Sequence, residues 1–179
     1  GFFIWKIREC EKGDVQAIAN VAAEAGLTHV LIKVADGTYS YNLDPSGVDL
    51  VPGLVHALRN QGIQAWGWHY LYGGDPIGES NKAIQRINQT GVEGFVIDVE
   101  KEFKAPGKDQ AAVKFMDRMR AAYPNLPVAL SSYRFPSYHP QIPWQEFLDR
   151  CNMNMPQVYW VLSHNPSDQL IHSVREFQT

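Results

Sequence analysis

Cysteine is scarce in this chain. Its 179 residues include two, Cys10 and Cys151, with no CxxC pair, which excludes a zinc ribbon and a dithiol redox motif. Both read as free thiols, and the alternative of a bridge between them is a matter for the fold to decide. The six histidines are scattered, with no HxH and no HExxH, so no metal ligand set is expected. No GxSxG elbow points to a serine nucleophile. The loop after the first apolar run is "RECEKGD", which lacks the glycines of a dinucleotide fingerprint, and GxxxxGK[ST] is absent throughout. No cofactor is therefore expected. No apolar run approaches the length of a membrane span. A net charge of -3 offers nothing to nucleic acid or an anionic membrane surface. No signal peptide is visible and the chain starts at Gly1, so it reads as a processed protein or a cut piece of one.

What is present is an ordinary globular composition, 45% hydrophobic and 20% charged, enough for one domain over 1–179. Two textures alternate. Runs rich in β-branched and aromatic residues at 2–7, 29–35, 63–72, 94–100, 127–133 and 156–162 read as strands. Between them lie helical patterns over about 15–25, 49–61, 76–90, 109–123 and 144–150, and a last one capped by Ser167. Each strand followed by a helix implies a parallel sheet, because the helix must carry the chain back. With a dinucleotide fold excluded, the pattern predicts a (β/α)8 TIM-type barrel. Some six β/α units are present where a full barrel needs eight. The expectation is a barrel cut before its last two strands.

The stretch "GFVIDVEKEF" (94–103) raises the question of function. In a barrel strand, side chains alternate between the interior and the helix layer. If Phe95, Ile97 and Val99 pack outward, Val96, Asp98 and Glu100 point inward, and the acids stand at the C-terminal mouth. The opposite phase would bury two carboxylates among helices, which desolvation forbids. Paired carboxylates are what glycosidic cleavage requires, one holding a proton and one ionised. The expected roles are Glu100 as general acid and Asp98 as its ionised partner, with Glu102 solvated beyond the strand. Lys33, inward on the second strand, is a natural counter-ion for Asp98. Trp68 and Tyr70 offer a sugar platform, and His69, on the other face of that strand, could orient a carboxylate. Tyr133, Gln157 and Tyr159 stand on the fifth and sixth strands as further substrate contacts, with Trp160 on the face opposite Tyr159.

The runs "HVLIKVADGTYSYN", "AWGWHYLYG", "GFVIDVE", "ALSSYRFPSY" and "MPQVYW" together resemble the strand series of lysozyme-type muramidases of glycoside hydrolase family 25, and also uncharacterised bacterial barrel proteins described as glycoside-hydrolase-like. The resemblance spans essentially the whole chain. It implies a polysaccharide substrate, one with N-acetylated sugars such as peptidoglycan, and a secreted or cell-surface, bacterial or phage-like setting. The DxE pair is also similar to that of chitinase-type barrels, in which the Asp assists attack by the substrate's own acetamido group. One departure stands out. Family 25 enzymes carry an Asp at the end of the first strand, where this chain has Lys6, Arg8 and Glu9. Two rival readings follow from that departure: a non-catalytic carbohydrate-binding barrel, and a structural module that has lost its cleft.

Overall fold

A computed structural model describes residues 1–159, 162 and 164–178. Six parallel strands form one curled sheet: β1 (Phe2–Ile4), β2 (His29–Asp36), β4 (Gln64–Leu71), β5 (Gly94–Val99), β6 (Val128–Tyr133) and β7 (Met153–Gln157), paired in the order β1-β2-β4-β5-β6-β7. A two-residue strand, β3 (Tyr39–Ser40), turns back antiparallel onto the end of β2. Helices α1 (Val15–Glu24), α2 (Val51–Asn60), α3 (Pro76–Thr90), α4 (Lys108–Ala122), α5 (Trp144–Leu148) and α6 (Pro166–Glu176) follow in alternation. The result is a mixed α/β half-barrel, in which, among the described residues, β1 and β7 are each paired on one side only.

The helices form where local signals agree. Asp14 caps α1 by accepting from the amides of Gln16 and Ala17. Asp75 does the same for Gly78, with Pro76 at the first position of α3. Gly91 ends α3 at φ 66°, a left-handed conformation that suits glycine. Apolar faces then meet one side of the sheet. Val30, Ile32 and Val34 of β2, Phe95, Ile97 and Val99 of β5, and Val128 and Leu130 of β6 share one large core with the helices. The concave side holds only a small cluster of Leu31, Trp68, Val96 and Ala129, edged by Trp66, Tyr70 and Met155. The concave side thus leaves room for charged side chains of the strands. Gly94 marks the close approach of neighbouring strands there: a Cβ on it would lie 2.3 Å from the Trp66 ring.

The expected strands are corrected at both sheet edges. The first ends at Ile4 rather than residue 7. Asn42 accepts from the Ile7 amide and donates to the Trp5 carbonyl, drawing the chain off the sheet, while Ile7 plugs the core. The last strand runs over Met153–Gln157 instead of 156–162, and residues 160 and 161 of the expected span, Trp160 among them, lie outside the described residues. Pro156 is tolerated because β7 is an edge strand among the described residues, so no neighbouring strand there calls for its missing N–H. Asn165, not Ser167, occupies the cap position of α6. The β3 hairpin turns at Gly37, φ 53°, where the sequence has the turn-forming pair Asp36–Gly37.

One buried cation ties the layers together. Arg86 of α3 donates to the Val34 carbonyl at 2.9 Å and forks onto Asp49 at 2.5 and 3.0 Å. Replacing it by Ala leaves Asp49 without its cation, with the Val51 amide still donating to it, and a strand carbonyl without this donor. Arg86→Ala is expected to lower stability by about 3–5 kcal/mol, read from urea denaturation; a loss below about 1 kcal/mol would show the pair to be dispensable.

Candidate active site

Strand β5 delivers the acids as its alternation requires. Phe95, Ile97 and Val99 are buried in the helix-side core. Asp98 and Glu100 are half-buried on the concave side. Glu100 lies one residue past the strand but keeps an extended backbone, φ −124° and ψ −153°, so the two-residue period carries through it. A 3-10 turn over Lys101–Lys104 follows, anchored by Phe103, which packs edge-on to Phe147 at 5.2 Å. That anchor folds Glu102 back over the mouth, where it accepts from the Tyr70 hydroxyl at 2.8 Å. The expectation of a solvated Glu102 is corrected: three carboxylates, not two, gather here. The signal was present in the sequence, since Glu102 continues the even spacing of Asp98 and Glu100.

Gln157 joins the pair. Its Nε2 donates to Glu100 Oε1 at 2.7 Å and to Asp98 Oδ1 at 3.0 Å, with Ser131 Oγ more distant at 3.4 Å. An amide nitrogen has two hydrogens, so the two carboxylates take both. These bonds favour ionisation but are outweighed. Burial, and then the charge of Glu100, pushes Asp98 up to about 7; Lys33 and Gln157 oppose the rise. Burial also raises Glu100, and Glu102 adds to it, while Gln157, Tyr133 and Lys104 pull it back. The larger shift falls on Asp98. In the resting site the proton therefore favours Asp98, whereas the sequence-based roles gave it to Glu100.

A hollow of about 360 Å³ opens beside Glu100. Gln157 and Tyr159 line it together with Tyr133, Arg134, Phe135, Tyr138 and His139. Tyr133 packs against Lys104, whose Nζ lies 4.4 Å from the ring centre, and against His139, whose ring centre is 3.8 Å away and whose Nδ1 is 3.0 Å from the same Nζ. Tyr159 is 66% exposed, and its carbonyl accepts from Arg134. The structure thus brings Asp98, Glu100, Tyr133, Gln157 and Tyr159 together. Lys104, Tyr138 and His139 were not anticipated, because they come from turns with no periodic pattern.

The remaining predicted residues lie elsewhere. Lys33 does face the concave side, but it is 1% exposed and its Nζ bonds Asp36 Oδ2 at 2.6 Å rather than Asp98. The rings of Trp5, Tyr41, Trp68 and Tyr70 surround it, with centres 4.4 to 5.8 Å away. It acts on Asp98 through space and is closed to a ligand. Trp68 is a floor, 5% exposed, with its indole N–H donating to the Ile4 carbonyl. Tyr70 is half-buried and committed to Glu102. His69 sits on the helix side between Phe95 and Phe115, fully buried, with Nε2 2.7 Å from the Gly37 carbonyl. Burial holds its pKa down at about 4 and it stays neutral; Nε2 carries the hydrogen and Nδ1 has no partner. From that face it cannot reach the acids or a substrate.

With the site in view, known proteins provide a fold context. No family model matches the sequence, and no curated protein matches it either. Solved structures do. The C-terminal domain of a candidate chitinase from Desulfitobacterium hafniense DCB-2 aligns at TM-score 0.66 and 13% identity, over 88% of this chain and 54% of that one. The Cpl-1 endolysin, solved with a peptidoglycan analogue, aligns at 0.53 and 19%, over 83% and 40%. A candidate alpha-L-fucosidase from Bacteroides thetaiotaomicron VPI-5482 aligns at 0.52 and 13%, over 81% and 56%. The likeness is one of fold. The chain spans about half the length of these neighbours, or less. Among the described residues no helix is long and apolar enough to cross a membrane.

The raised Asp98 has a consequence for stability. Its ordinary value is 3.8 and its folded value about 7, so between those limits the folded state binds more protons than the unfolded chain. Stability is then lost as pH rises from about 4 to about 7, and the loss is complete above that. Asp98→Asn keeps the acceptor for Gln157 and removes the charge. It is expected to melt higher than wild type at pH 8, by roughly 1–4 kcal/mol, with no difference at pH 3. Melting curves across this range check it; a difference independent of pH would contradict the shift.

Proposed function

We propose that this protein is a glycoside hydrolase that cleaves a polysaccharide containing N-acetylhexosamine, such as peptidoglycan, at the C-terminal mouth of a TIM-type sheet. One observation carries the reading: two carboxylates bridged by a single amide, one of them favouring its proton near neutral pH, at the edge of an aromatic hollow large enough for a sugar ring. The names of the structural neighbours support it, being a chitinase, an endolysin bound to a peptidoglycan analogue and a fucosidase. The setting that fits is secreted or at a cell surface, bacterial or phage-like.

The pair shares one proton. At rest it lies on Asp98, the more deeply shifted group. Glu100 faces the hollow, and a bound sugar strips water from it and draws the proton there. The Glu100 carboxyl then gives that proton to the glycosidic oxygen as the C–O bond breaks, and the bonding electrons leave with that oxygen. Asp98, now ionised, stabilises the positive charge at the anomeric carbon, or orients the acetamido oxygen that attacks it; a water then adds to that carbon, giving one proton back to the Glu100 carboxylate and leaving its hydroxyl on the sugar. Gln157 holds both acids in register, and Tyr133 and Tyr159 flank the ring.

The segment after β1 favours a second reading. It carries Lys6, Arg8 and Glu9 where the family 25 pattern has an Asp, which suits a barrel that binds glycan without cleaving it. Release of reducing ends from peptidoglycan or chitin separates the two. Glu100→Gln is expected to cut that release by about 10²–10⁴-fold while sparing glycan binding. Hydrolysis persisting at the wild-type rate would remove Glu100 from the reaction, and binding with no release by wild type would favour the second reading.

A further inference from the structure

Trp5 combines exposure with fixation. It is 59% exposed, yet its position is held from three sides. Its indole N–H donates to the Tyr41 hydroxyl at 2.9 Å, its ring meets Trp68 edge-on at 5.8 Å, and the Lys33 ammonium sits 4.5 Å from its centre. Lys33 in turn is pinned by Asp36, which also accepts from the Tyr72 hydroxyl at 2.7 Å. A large apolar ring left in water gains nothing from burial, but one whose rotamer is already fixed loses little entropy when a ligand stacks on it. Beside Tyr41 lies a second hollow, of about 530 Å³, lined by Lys6, Arg8, Glu9 and the run Ser40–Leu43. Lys6 pairs with Glu9 at 2.7 Å. Arg8 is exposed and makes no hydrogen bond or ion pair with any described residue, so the wall keeps one unmatched positive charge. In strand order this hollow belongs to β1 and β2, and the hollow beside Glu100 to β6 and β7, so the acids of β5 lie between the two.

We infer that Trp5 and Tyr41 form a second sugar subsite across the acid pair from the Tyr133–Tyr159 hollow, and that Arg8 selects there for a glycan unit bearing a carboxylate. The inference rests on the carbohydrate reading and deepens it. A glycosidic bond has a sugar on each side, so a cleft around an acid pair needs purchase on both. The stacked ring is held by its apolar face on Trp5. The guanidinium of Arg8 supplies the forked donor that a carboxylate accepts.

Titration calorimetry on the Glu100→Gln protein tests this with two probes, a neutral N-acetylglucosamine oligosaccharide and the same chain with its primary alcohols oxidised to carboxylates. The oxidised chain is expected to bind about tenfold tighter at low salt, the preference shrinking at high salt. Arg8→Ala is expected to abolish the preference and Arg8→Glu to reverse it. Trp5→Ala is expected to weaken both probes by about tenfold, with Trp5→Phe intermediate; unchanged melting of each variant confirms that folding is intact. Equal affinity for the two probes, no binding of either, or indifference to Trp5→Ala overturns the subsite. Reducing-end release by the protein with Glu100 intact, measured in parallel, keeps the two readings apart. Hydrolysis without charge preference or Trp5 dependence overturns the subsite alone, and the expected binding without hydrolysis overturns catalysis alone.

Discussion

The cost of burying an unpaired carboxylate organises this molecule. Strand β5 has a helix layer on one side and a shallow interior on the other. Phe95, Ile97 and Val99 satisfy the first, and each is worth roughly 1.5–3 kcal/mol when removed from water. A shift of one residue would exchange them for Asp98 and Glu100, and several kcal/mol per ion would oppose it. The phase is therefore fixed by charge as much as by apolar packing. Once it is fixed, the acids must emerge at the C-terminal end, where the following turn and neighbouring strands surround them.

Partial burial then does the electrostatic work. Asp98 and Glu100 are close enough to water to exist as acids and deep enough for their ionisation to be costly. Gln157 donates to both and so cannot distinguish them; the difference comes from their surroundings. Asp98 stands deeper and feels Glu100, while Glu100 has Tyr133 and Lys104 nearby. Two chemically similar groups are thus driven apart in proton affinity by position alone, which is the condition for acid–base chemistry at one bond.

Lys33 shows how the other half of the mouth is built. A lysine with no water must find a carboxylate and soft electron-rich faces, and it finds Asp36 and four aromatic rings. This arrangement removes it from ligand contact but stiffens the ring system around it. His69 illustrates the same logic in reverse. On the helix side it has only a carbonyl for a partner, and burial keeps it neutral.

Much was legible in the sequence where a period or a cap expresses a local preference. The alternation of strands and helices, the cap at Asp14, the inward phase of Asp98, Glu100 and Lys33, and the opposite face of His69 all follow from residues close together in the chain. What the sequence could not express are contacts between segments distant in the chain. Asn42 ends β1 early by bonding the Trp5 carbonyl and the Ile7 amide. Phe103 folds Glu102 over the mouth by packing on Phe147. Gln157 reaches across to both acids from a strand nearly sixty residues away. Local periodicity decides which face a side chain takes, because steric alternation is a property of the backbone itself. Only the packed sheet decides which partner it meets there, because that depends on the curvature bringing separate strands together.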